Sequence, residues 1–137
     1  MQYNDFLHLA KEQLGVQTQD EVMNISRAFL HTLTDHMAGN AADKLASQLP
    51  APLADVIKEI HPEDRDQGQR FSLSEFYERV ADRAGVPDEQ GQHYTLTYMK
   101  LLGQLVTAGE IHKLRLTLPD TYAPLFEGVV GLQEKTS

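Results

Sequence analysis

Residues 6–16, FLHLAKEQLGV, return at residues 76–86 as FYERVADRAGV, and the echo decides the fold. Phe6, Ala10, Leu14, Gly15 and Val16 meet Phe76, Val80, Ala84, Gly85 and Val86 at an offset of 70. Apolar residues four apart share one helix face, and a Gly just beyond them is where helices commonly end in a left-handed residue. A one-residue slip in the next turn makes the offset 69. Leu33, Lys44, Leu45, Leu49, Pro50 and Ala54 then meet Leu102, Lys113, Leu114, Leu118, Pro119 and Ala123. Self-similarity of this length predicts two copies of one helical unit.

Working outward, each copy opens with a helix of about ten to twelve residues. In the second copy Ser72 and Glu75 have capping-box spacing, and Phe71 and Phe76 have that of a hydrophobic staple. A longer second helix follows, opened by Thr18 with Glu21 in one copy and by Asp88 after Pro87 in the other. Its apolar stripe is Val22, Ile25, Phe29, Leu33 and Met37, answered by Tyr94, Tyr98, Leu102, Leu105 and Val106, and Gly39-Asn40 and Gly109 are expected to end it. A short helix from Ala41 to Leu49 should stop at Pro50, and a fourth segment should run from Pro52 to Lys58. Lys113 to Leu118 alternates like a strand, but its repeat partner Lys44 to Leu49 is helical in composition, so both are assigned to helix.

The expected fold is all-α: an orthogonal helical bundle of two tandem three- or four-helix repeats related by an approximate twofold. Copy one covers residues 3–59, a linker 60–70, copy two 71–128 and a tail 129–137. One copy alone is too small to bury a secure core, so residues 1–137 should form a single domain. Within the linker, His61, Glu63, Asp64, Arg65 and Asp66 resemble an active-site cluster, but their place between the copies, with Pro62 and Gly68, is that of a solvated joint.

Composition narrows the function. The 137 residues are 41% hydrophobic and contain no Cys, which removes disulfides, thiolate metal sites and a Cys nucleophile. The net charge is −8, with 5 basic and 11 acidic side chains in residues 1–68 and 7 and 9 in residues 69–137. That balance repels phosphate backbones and anionic membranes, so neither nucleic acid nor membrane is expected as a partner. No apolar run has signal-peptide or membrane-spanning length, and a cytoplasmic protein is expected.

Laid out this way, the chain resembles a bacterial family known only as domain of unknown function 2267. The resemblance rests on Phe6 with Gly15-Val16, on Ala28-Phe29-Leu30 with Leu33, and on Ala46-Ser47-Gln48-Leu49-Pro50. In the second copy it rests on Phe76-Tyr77 with Val80, on Gly85-Val86, and on Leu118-Pro119 with Tyr122, Leu125 and Phe126. It implies a small, soluble bacterial helical protein with the same doubled organisation, and it carries over no catalytic or ligand residue. Leu116 departs from it, standing where a more polar residue is expected between Leu114 and Leu118.

Asp5 and His8, with Glu75 and Glu78 in the other copy, have chelating spacing but fall opposite the apolar stripe, which marks a solvated face. His31 and Asp35, four apart, are expected as a surface ion pair at most. His36 lies on the apolar stripe, where the other copy has Leu105, and is expected at the core rim with its nitrogens satisfied. His36 and Tyr98 are the weak candidates for ligand binding; no catalytic residue, metal site or cofactor is expected.

The function expected is therefore a non-enzymatic protein-interaction or regulatory module. The alternative is a small-ligand or metal carrier using a pocket between the repeats. Self-association is expected too, because Phe126, Val129, Val130 and Leu132 keep the end of the chain apolar.

Overall fold

Gly15, at φ 73°, ends α1 (Tyr3–Leu14) with its N–H donating to the Lys11 carbonyl, and Gly85, at φ 72°, ends α5 (Leu73–Ala84) in the same way. Any residue with a Cβ pays about 1–2 kcal/mol for that left-handed conformation, which is why the repeat is punctuated by Gly. The computed structural model describes residues 1–64 and 68–129. Among them no β-strand occurs, and the chain is an all-α bundle.

Between those two helices come α2 (Gln19–His36), α3 (Ala41–Ala46), α4 (Ala51–Lys58) and a 3-10 turn at Pro62–Asp64. After α5 come α6 (Asp88–Leu105), α7 (Ala108–Thr117) and a 3-10 helix at Asp120–Phe126. The first two helices of each half have equal lengths, 12 and 18 residues.

The expected helix starts fare differently. The Thr18 hydroxyl accepts the Glu21 N–H at 3.1 Å while the Glu21 carboxylate accepts the Thr18 N–H at 3.2 Å, a complete capping box. Ser72 caps α5 through the Glu75 N–H, but the Glu75 carboxylate turns to Arg79 instead of closing the box. The staple is present, with the Phe71 and Phe76 rings 6.2 Å apart. Asp88 does not cap α6; Pro87 occupies the N-cap without a side-chain bond. Gly109 does not end the long helix either, because α6 has stopped at Leu105 and Thr107 caps α7 by accepting the Glu110 N–H. The third helix is shorter than expected, closing at Ala46 in turns that lead to Pro50.

Lys113 to Thr117 is helical, and the strand-like alternation has a geometric reason. At about 100° per residue, Leu116 lies roughly 200° round the helix from Leu114. Leu114 is accordingly buried, while Leu116 is 73% exposed.

Packing crosses between the halves. α1 packs on α6 as well as α2, and α5 packs on α2 as well as α6. α4 lies against α2 and α3, and the Asp120–Phe126 helix lies against α6. The resulting core is continuous, and its centre is aromatic: Tyr98 stands 4.8 Å from Phe29 and 6.0 Å from Phe6, ring to ring, and Phe29 stands 5.9 Å from Phe76. Phe126 and Val129 are buried within the same chain, so they do not need the second copy that their sequence suggested; Val130 and Leu132 lie outside the described residues.

Candidate functional site

His36 ends α2, and its ring stacks on Phe71 at a centroid distance of 4.0 Å. Its Nε2 meets the hydroxyl of Tyr122. That hydroxyl lies 2.7 Å from the Phe71 carbonyl and 3.1 Å from the Ser72 carbonyl. Burial holds the imidazole pKa below its usual value, helped by the nearby Arg79 guanidinium, and burial raises that of the Tyr122 phenol. His36 thus sits in the core rim, as its place on the stripe implies, joining α2 to the start of α5 and to the last 3-10 helix.

Tyr98 is fully buried, and its hydroxyl donates to Ser26 Oγ at 2.7 Å. Ser26 in turn donates to the Val22 carbonyl at 2.8 Å. Both weak ligand candidates therefore spend their polar atoms inside the fold.

His31 and Asp35 correct the expectation of a surface pair. α2 is flanked by α4 and α5, so its polar positions fall into the two seams instead of facing water together. His31 donates from Nε2 to the Val56 carbonyl of α4 at 2.9 Å, and burial lowers its pKa. Asp35 faces α5, where Oδ2 accepts from Arg79 Nη1 and Arg83 Nη1, each at 3.0 Å. Arg79 also lies 3.7 Å over the Phe71 ring. Together with Gln69 and Asp82 these arginines line a polar surface hollow in which the charges balance.

Asp5 and His8 are exposed on α1. His61 and Glu63 are exposed in the joint, 3.8 Å apart, and Arg65 and Asp66 lie outside the described residues. No group of three or more His, Asp or Glu converges as a metal site among the described residues. No helix among them is long and apolar enough to cross a membrane.

The concavity best suited to a partner lies between the two halves, away from His36 and Tyr98. Between α3 and α7 runs an open groove of about 400 Å³, floored by Met37, Ala41 and Leu114 and lined also by Lys44, Glu110, Lys113 and Leu116. Gln48 holds its walls together: Nε2 donates to Glu110 Oε1 at 2.9 Å, while Oε1 accepts the Thr107 N–H at 3.1 Å. Two signals for it stood in the sequence. Lys44 and Lys113 are repeat counterparts, and Leu116 breaks the family pattern.

A family model described as "Uncharacterized conserved protein (DUF2267)" matches residues 3–125. The chain belongs to that family. No curated protein matches it. The DUF2267 match takes in every helix from α1 to α7, hence both walls of the groove, but its description names no activity. What a DUF2267 site does must come from its residues.

Proposed function

We propose that this DUF2267 protein is a non-enzymatic protein-interaction module of the bacterial cytosol, built from two helical copies that share a core. Its docking surface is the groove between α3 and α7. One observation carries the reading: Leu116, 73% exposed, stands at the edge of the open groove between α3 and α7. A solvated leucine at the rim of a groove offers a partner an apolar side chain to pack against. The equal helix lengths and the crosswise packing support the doubled organisation.

The test compares proteins retained from the host by the wild type and by Leu116→Glu, with thermal melts to show that both are folded. Retained proteins should be lost with the variant. Identical sets would remove the groove from the proposal.

The groove volume of about 400 Å³ also falls within the range of small-ligand sites, so a carrier is the second reading. Its anchors would be Lys44 and Lys113, not His36. Native mass spectrometry of the protein as purified tests it, with a bound organic mass expected.

A further inference from the structure

We propose that residues 68–72, where the joint enters α5, form an acid-released strap: His36 holds them while its ring is neutral and lets them go when the ring takes a second proton. Three elements meet on this strap. From the end of α2, the Met37 carbonyl accepts the Gly68 N–H at 2.7 Å and the Asp35 carbonyl accepts the Gln69 N–H at 2.8 Å. The strap thus satisfies carbonyls that the helix end leaves without an intrahelical donor. From the last 3-10 helix, the Tyr122 hydroxyl donates to the Phe71 carbonyl at 2.7 Å. From α5, Arg79 donates to Gln69 Oε1 at 3.1 Å and lies 3.7 Å over the Phe71 ring. His36 stacks on that same ring at 4.0 Å. Two planar groups so close to one centroid cannot share a face, so Phe71 is sandwiched between the imidazole and the guanidinium. His36 also bonds the Tyr122 hydroxyl, and so grips both the strap and its clamp.

Protonation turns this grip into repulsion. It would set a second cation against Phe71, whose other face a cation already covers, in a site that offers the new charge little water. Arg79 from α5 and Arg70 from the strap itself disfavour the imidazolium, and Asp35 of α2 favours it. Asp35, however, is already shared by Arg79 and Arg83, and Glu75 is paired with Arg79. From the last 3-10 helix comes only Tyr122, whose phenol burial keeps neutral. No facing carboxylate is therefore free to receive the charge. Lifting the strap relieves it at small cost elsewhere. Phe71 is only partly buried, whereas Phe76, Phe29 and Tyr98 behind it are fully buried and keep the helices together.

The test is amide hydrogen exchange on ¹⁵N-labelled full-length protein between about pH 7.5 and pH 5, with each rate corrected for the intrinsic rate at that pH. Protection at Gly68 and Gln69 should fall below pH 6.5 by up to about tenfold per pH unit, the linkage of one proton. The fall should share its midpoint with the Hε1 resonance of His36 in the same sample. A low, non-denaturing urea concentration should leave exchange at these two amides unchanged and speed it at Tyr98 and Leu102 in α6, because the response to urea scales with the surface exposed on opening. His36→Leu should abolish the pH dependence at the strap. If Gly68 and Gln69 follow Tyr98 in both pH and urea, the event is unfolding of the whole chain and no strap exists. Protection that is flat with pH, or that falls away from the His36 midpoint, would overturn the role of the histidine. If His36→Leu loosens the strap at every pH, the coincidence of midpoints in the wild type decides.

Discussion

His36 Nε2 donates to the Tyr122 hydroxyl, and the direction follows from the neighbours. The hydroxyl has one proton, and the Phe71 carbonyl at 2.7 Å can only accept it. Toward His36 the oxygen is left as acceptor, so the imidazole carries its proton on Nε2. The two residues are therefore unequal in what their loss would cost. Tyr122→Phe removes the hydroxyl that bonds both His36 and the Phe71 carbonyl, although the Ser72 carbonyl keeps the Phe76 N–H, and should cost about 1–3 kcal/mol. His36→Leu leaves the hydroxyl bonded to Phe71 and should cost clearly less. Denaturant unfolding of the two variants checks the order, and a His36→Leu loss as large as that of Tyr122→Phe would reverse the assignment.

The same histidine predicts how stability depends on pH. Burial lowers the folded-state pKa of His36 and of His31 from an unfolded value of 6.5. The charged groups facing His36 are Arg79 and Arg70, which also lower it, and Asp35, which opposes them. Below 6.5 the unfolded chain binds more protons than the folded one, so stability is complete above that pH and is lost as the pH falls toward the folded values. Urea midpoints should fall between about pH 7.5 and pH 5. The slope should flatten in His36→Leu and further in His31→Leu/His36→Leu. An unchanged slope in the double variant would assign the acid sensitivity to other groups.

Two glycines should answer alanine with opposite signs. At Gly91 a Cβ would lie 2.6 Å from Ala81 Cβ and 2.7 Å from the Tyr77 carbonyl, because α5 and α6 touch backbone to backbone there. Gly91→Ala must push the helices apart and should cost about 1–3 kcal/mol. At Gly109, in the first turn of α7, the nearest neighbour of a Cβ would be Thr107 Oγ1 at 3.8 Å, and φ is not positive. Gly109→Ala should gain about 0.4–1 kcal/mol by restricting the unfolded chain. Thermal melts of the pair decide, and a stable Gly91→Ala protein would show that the seam can yield.

The repeat made the helices legible because period and punctuation are local: Phe6 to Gly15 and Phe76 to Gly85 announce their own faces and ends. It also carried Lys113 to Thr117 into helix against its alternation. Register misled where the copies differ, as at Gly109, where Thr107 and Glu110 held the true start signal of α7. The groove lay beyond such reading, since it depends on how far α3 stands from α7 and Gln48 sets that spacing across 62 positions of chain. The partners of Asp35 were hidden for the same reason, as Arg79 and Arg83 approach only through the crossing of α5 over α2.

That crossing yields the last prediction. Residues 1–66 and 67–137, made separately, divide the aromatic centre between two chains. Tyr98 in one fragment would lose its ring contact with Phe29 and its hydrogen bond to Ser26, and Ser26 and Phe29 would be left in the other. α1 would lose α6, and α2 would lose α5, so each fragment would expose a face that the whole chain buries. Chains of this size have little stability to spare against such a loss. Each fragment alone should show weak helical circular dichroism and no cooperative melt. An equimolar mixture should recover helicity and a single transition, because the lost contacts are complementary. Two fragments that melt cooperatively on their own would instead establish the halves as independent domains, each with its own core.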